Sequence, residues 1–262
     1  MTMDFHDSKH SNSYASRAAN VGWRQLITDK VDLKGAKAVD IGCGGGIYTK
    51  ALAELGTAEV TGIDFSQAML DGAAVYCSGI ENIHFHQGHA LQTGLADGGF
   101  DVVLERALIH HLSADQLTDC FCEAYRVLDQ GGTLLVQDRT PDDCLLAGGR
   151  EHLRGYFFER FPKLIEKEAA RRHSSSAVCN ALAEAGFVEQ EQMLLWETRE
   201  MYIKFSDFRS DLLKRTGRTL LHELNDKELI ELADFIQQRS GYRNEDAFEE
   251  KDRWTVWVAR KH

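Results

Sequence analysis

From Ala38 to Tyr48 the chain reads Ala-Val-Asp-Ile-Gly-Cys-Gly-Gly-Gly-Ile-Tyr, and no other stretch restricts the fold as much. A short apolar run carries an acid, Asp40. Glycine then recurs at 42, 44 and 46, and a helical pattern starts at Ile47. A strand, a tight turn and a helix N-terminus in that order form the unit with which α/β proteins hold a cofactor. Glycine suits the turn because a Cβ would keep the main chain off a ligand, and because it tolerates φ > 0. A dinucleotide fingerprint, Gly-x-Gly-x-x-Gly, would put its third glycine at 47, where Ile47 stands. A second acid, Asp64, closes the next apolar run, Glu59 to Asp64, twenty-two residues after Gly42. At a neighbouring strand end it is placed to accept hydrogen bonds from a ribose diol.

The spacing Asp-x-Gly-x-Gly-x-Gly followed by Asp64 resembles that of class I S-adenosylmethionine (SAM)-dependent methyltransferases. Two further phrases resemble the small-molecule group that includes the ubiquinone and menaquinone methylases: Leu108-Ile109-His110-His111-Leu112, and Arg126 to Gly132 with Gln130 where that group has proline. The resemblance covers residues 36 to about 140. It implies a Rossmann-like α/β fold, a seven-stranded and mostly parallel sheet with an antiparallel last strand. Helical insertions are expected after the fifth strand and before the last. The implied cofactor is SAM, released as S-adenosylhomocysteine (SAH). The implied cofactor residues are Asp40, Gly42, Cys43, Gly44 and Gly46 in the first turn, and Asp64 and Phe65 in the second. His89 and Ala90 lie in the third turn, with His89 in place of the usual acid. Glu105 and Arg106 follow at the fourth strand end, where family members carry small residues. Tyr14 and Arg17 belong to an N-terminal segment of the kind that folds over the cofactor. A nicotinamide-linked oxidoreductase and a non-catalytic SAM-binding protein are the alternatives.

At 262 residues the chain is long enough for a large core, and one elaborated domain is expected. A hydrophobic content of 43% and a charged content of 27% are those of a globular protein. The net charge of −11 argues against nucleic acid and anionic membrane as partners, since like charges repel at long range. No apolar run approaches the roughly 20 residues of a membrane span, and Met1 to Ser13 is polar, so a cytoplasmic location is expected. Six cysteines without a Cys-x-x-Cys spacing read as reduced thiols. His84 and His86 share a strand face, but no carboxylate or cysteine at a matching spacing completes a metal site, and none is assigned.

In order, the pattern predicts an N-terminal segment and helix over 1–35 and a cofactor-binding core over 36–140. Helical insertions follow over 141–175 and 206–250, and a closing strand over 251–262. Within the core, Ser113 with Gln116 forms a capping box that opens a helix through Leu128, ended by Gly131 and Gly132, with Thr133 to Asp138 as the fifth strand. Phe187 to Trp196 and Met201 to Phe205 read as strands, and Asn225 with Glu228 opens a late helix.

Methyl transfer requires a nucleophile held in line and shielded from water. A base is required only when the nucleophile arrives protonated. His110, His111 and Asp138 are the candidate catalytic groups, because a histidine titrates near working pH. Arg139, Tyr156 and Arg160 are candidates for holding a small-molecule acceptor, and the arginines would suit an anionic one. Charge pairing with the chain's many acids is the competing use of those arginines. Neither the acceptor nor the oligomeric state is legible.

Overall fold

The computed structural model describes residues 18–262. In chain order the first elements are α1 (Val21–Lys30), β1 (Lys37–Ile41), α2 (Ile47–Glu54), β2 (Glu59–Asp64), α3 (Gln67–Tyr76), β3 (Ile83–Gln87) and β4 (Phe100–Arg106). They continue with α4 (Ala114–Val127), β5 (Leu128–Asp138), α5 (Pro141–Cys144), α6 (Gly155–Arg160), α7 (Lys163–Ala169) and α8 (Ser175–Glu184). The last are β6 (Glu189–Tyr202), α9 (Phe205–Leu213), α10 (Asp226–Ser240) and β7 (Phe248–Arg260). Single 3-10 turns lie at Ile109–His111 and Thr219–Glu223.

The seven strands form one sheet in the order β3-β2-β1-β4-β5-β7-β6. Strands β1 to β5 pair in parallel, and β7 runs antiparallel to β5, with Leu135 opposite Val258. The order reverses between β1 and β4, which makes the carboxyl ends of those two strands the switch point where open α/β sheets bind ligands.

The chain divides into two compact units. The first takes residues up to Asp138, Ser175–Leu195 and Thr255–His262; the second takes Arg139–Ser174 and Trp196–Trp254. Of the segments expected as separate helical insertions over 141–175 and 206–250, residues 141–174 and 206–250 fall within the second unit, and Ser175 opens α8 in the first.

In the first unit the central strands β1 and β4 are buried on both faces, so their sequences are near-continuous apolar runs, whereas the edge strand β3 alternates Ile83 and Phe85 with the exposed His84 and His86. Alternate residues point to opposite sides. Val39, Ile41, Val103 and Val136 pack with Leu117, Phe121 and Ala124 of α4 and Val178 and Leu182 of α8. Ala38, Val102, Leu104 and Leu135 pack on the other face with Trp23 and Ile27 of α1 and Leu52 of α2. The helix starts follow their side-chain caps. Ser66 accepts from the Met69 N–H to open α3, and Ser113 with Gln116 forms a complete capping box on α4. The second unit is built on an aromatic core in which Tyr242 stacks on Phe248 at 4.5 Å, beside Tyr202, Phe205 and Phe208. Its α10 opens on the expected Asn225 and Glu228 capping box.

Three boundaries differ from expectation. Helix α4 ends at Val127 rather than running through Leu128, because Leu128 already pairs with Phe100 and starts β5. The ladder shifts register between Phe100 and Val102, and Gly131, in left-handed conformation, lies within β5 instead of ending a helix. The two strands expected over 187–196 and 201–205 are one strand, β6, whose polar middle includes Glu197, 3% exposed, and Arg199, which lies near Glu250 and Asp252. Phe205 is the first residue of α9, with Lys204 as its extended cap.

Candidate active site

The first turn joins the ends of β1 and β2. The N–H groups of Gly42 and Cys43 both donate to the Ile63 carbonyl, at 2.7 and 2.9 Å. Gly42 has φ +76°, and a Cβ on it would stand 2.9 Å from Leu108 Cδ1. Gly46 has φ +78° and caps α2; a Cβ there would come within 3.0 to 3.3 Å of Ala73, Cys77 and Phe85. Glycine is therefore required by backbone conformation and by packing within the protein, as well as by any ligand laid against the turn.

Two carboxylates flank this turn. Asp40 is buried, and Thr49 Oγ1 donates to its Oδ2 at 2.7 Å. Burial pushes Asp40 up to about 6; the Thr49 hydrogen bond opposes this, the Asp64 charge adds to it, and Arg106 pulls the other way. Asp64 accepts from the Gly44 N–H through Oδ2 and from the Ser66 N–H through Oδ1, each at 2.9 Å. Its pKa is raised by burial, against those main-chain hydrogen bonds. Each oxygen of a carboxylate has a second lone pair, so Asp64 is held rigid while keeping acceptor capacity for a diol.

At the end of β4, Arg106 lies over the Tyr48 ring, 3.9 Å from its centroid, and Tyr48 meets Trp23 edge-on at 4.8 Å. Its neighbour Glu105 points elsewhere. That side chain is fully buried, and Cys120 Sγ of α4 donates to its Oε1 at 3.4 Å. Burial pushes Glu105 up to about 8. After the left-handed Ala107, the 3-10 turn presents two histidines. His110 Nδ1 lies 2.8 Å from Asp138 Oδ2 and 3.1 Å from Oδ1, and the His110 N–H donates to the same carboxylate at 3.2 Å. Asp138 ends β5 and is buried, whereas His111 is exposed and packs against the His110 ring at 4.0 Å. An imidazole fixed through Nδ1 by a buried carboxylate has Nε2 available for proton transfer.

Cys43 is buried, and burial holds its thiol well above the ordinary range, so it is not a thiolate. Phe65 is exposed, and its carbonyl accepts from Gln87 Nε2 at 2.9 Å. In the third turn His89 Nδ1 accepts from the Leu91 N–H at 3.2 Å, beside the buried Ala90. Tyr14 and Arg17 lie outside the described residues. In the second unit Arg139 Nη1 is 3.2 Å from Asp252 Oδ2, and the guanidinium lies over Trp254. Tyr156 is buried edge-on to Phe235, and Arg160 forms an ion pair with Glu231. Sequence reasoning gave no role to Thr49 or Tyr48. A threonine nine residues after the strand acid, one helical turn into α2, is the available signal for the first. A cavity of about 520 Å³ lined by Asp97, Tyr125, Arg126, Asp129 and Lys261 lies at the opposite, amino-terminal edge of the parallel strands, away from these groups.

The strand order, the switch point between β1 and β4, and a glycine turn flanked by carboxylates on two adjacent strands are the arrangement that the resemblance to class I, SAM-dependent methyltransferases implies. A family model described as a methyltransferase domain matches residues 39–136. Over 137 residues the chain is 39% identical to a ubiquinone biosynthesis O-methyltransferase of Methylococcus capsulatus, a match covering 49% of this chain and 55% of that protein. Over 84 residues it is 38% identical to a demethylmenaquinone methyltransferase of Staphylococcus aureus, covering 31% of this chain and 35% of the relative. The matched part thus spans about half the length of the first relative and about a third of the second. Among solved structures, the phosphoethanolamine N-methyltransferase 2 of Haemonchus contortus, in complex with SAH, superposes with a TM-score of 0.61 at 18% identity. That likeness covers 99% of this chain and 61% of the other. The YcgJ protein of Bacillus subtilis gives 0.57 at 20% identity, covering 91% and 97%. At these identities the likeness is one of fold. No helix among the described residues is long and apolar enough to cross a membrane.

Proposed function

We propose that the chain is a methyltransferase that moves the methyl group of SAM to an oxygen, nitrogen, sulfur or carbon of a small molecule, with His110 as the base that removes the acceptor's proton. SAM supplies a methyl group on a positively charged sulfur, which is neutralised as the methyl leaves. The observation that carries the reading is the pair of strand-end carboxylates around the glycine turn. Asp64, fixed by two main-chain donors, would accept from the ribose hydroxyls. The amino-acid end of the cofactor carries one charge of each sign, and Asp40 and Arg106 offer the complementary pair at the ends of β1 and β4. Main-chain groups of the turn at Gly44 and Gly45, which bear no side chain of their own, would lie along it.

The His110 and Asp138 pair supports a protonated acceptor. A buried carboxylate orients the ring and stabilises the cation that forms when Nε2 takes a proton. A phenol, thiol or amine requires that step, and the names of the relatives favour a phenolic quinone precursor as the first compound to try. The oxidoreductase alternative has Ile47 at its third-glycine position, and no relative described above is an oxidoreductase.

The test is transfer of labelled methyl from SAM to a panel of phenols, thiols and amines. His110→Asn is expected to lower the turnover of an accepted compound by about 10² to 10⁴, with SAH affinity within twofold of the unsubstituted protein. Undiminished turnover in His110→Asn would remove the base from the mechanism.

A further inference from the structure

The second unit contains a cluster of guanidinium groups around a single carboxylate. Glu168, on the last turn of α7, is fully buried. Arg172 Nε and Nη2 both lie on its Oε1, at 3.1 and 3.0 Å. Arg154 Nη2 is 2.9 Å from the same oxygen, and Arg171 Nη2 is 3.2 Å from Oε2. With Arg172 set aside, two positive charges still meet one negative charge.

Asp252 does not complete the balance. Asp252 lies in the field of Arg154, yet Arg139 approaches it at 3.2 Å and Arg199 at 3.7 Å. Among the described residues, the buried Nε groups of Arg154 and Arg171 donate to no acceptor, and Arg154 as a whole is only 7% exposed. Burial, with Arg172, Arg154 and Arg139 close by, lowers the pKa of Arg171 from its ordinary value. Cationic groups withdrawn from water without full compensation are costly to keep. A guanidinium edge of this kind matches the two oxygens of a carboxylate or phosphate. Arg171 retains 35% side-chain exposure, which opens the cluster to solvent.

We infer that the second unit binds the oxyanion of a small molecule, a carboxylate or a phosphate, between Arg154 and Arg171 beside Glu168. The inference rests on this unit alone and stands apart from the reading of the first unit as a methyltransferase domain.

The experiment uses the full chain at constant ionic strength, titrated with inorganic phosphate and, separately, with malonate against a chloride baseline. Binding is read by calorimetry and by the thermal midpoint. At least one of the two anions is expected to bind and raise the midpoint, and the tighter of them identifies the oxyanion. Arg171→Gln should weaken that binding at least tenfold, and Arg154→Met likewise. Arg243→Gln, which changes a surface guanidinium paired with Asp246 and outside the cluster, should leave it unchanged. SAH affinity, measured on the same samples, should be equal in all variants, which separates this test from that of the cofactor site, and unchanged near- and far-UV circular dichroism shows that they are folded. No response to either anion beyond chloride would overturn the inference, and so would an equal response in Arg171→Gln.

Discussion

Glu105 allows a test whose size follows from the structure. The carboxyl is fully buried, Cys120 is its one hydrogen-bonding neighbour among the described residues, and its Oε2 has none. Burial moves it from 4.5 to about 8. The folded state therefore keeps a proton that the unfolded chain releases. Stability from this group is fully present below pH 4.5 and is lost as pH rises through about 8. Between those limits the loss approaches about 1.4 kcal/mol per pH unit, or about 5 kcal/mol in all. Glu105→Gln keeps the shape and removes the titration. Urea unfolding at pH 5, 7 and 8.5 should show the variant gaining on the unsubstituted protein with each step, with the largest gain at pH 8.5. A stability difference that stayed constant to within about 0.5 kcal/mol would mean that Glu105 is solvated or paired, and the placement would be wrong.

Gly42→Ala should destabilise by about 1 kcal/mol from the left-handed backbone alone, and by more if Leu108 fails to move from the new methyl group. Chemical denaturation and SAH titration would both register it. In the second unit, Arg218 and Glu250 form a buried ion pair at 2.6 Å. Arg218→Met should cost about 3 kcal/mol, because it leaves a buried carboxylate short of its partner, and adding Glu250→Met should recover much of the loss.

What the sequence made legible was local. The glycine turn, Asp64 at the next strand end, and the boxes at Ser113 and Asn225 depend on residues a few positions apart, and they stand where the pattern puts them. What it concealed depends on contacts distant along the chain. The polar middle of β6 breaks the apolar alternation because Arg199 is taken up by acids of β7, and periodicity reads such a stretch as a break. The early start of β5 depends on Leu128 meeting Phe100, and no capping signal marks that. Glu105 and Arg106 look equivalent in sequence. Strand alternation sends one into the core beside Cys120 and the other onto Tyr48. The pairing of His110 with Asp138 joins residues twenty-eight apart, each singled out for chemistry, with nothing in the sequence to show that they touch.

Calorimetric titration of SAH into the protein and into Asp64→Ala tests the central claim most directly. The account predicts one site per chain, with affinity reduced at least tenfold in the variant, since hydrogen bonds to a charged group contribute about 1.5 to 3 kcal/mol each. Equal affinity in the two proteins, or no binding of SAH to either, would contradict it.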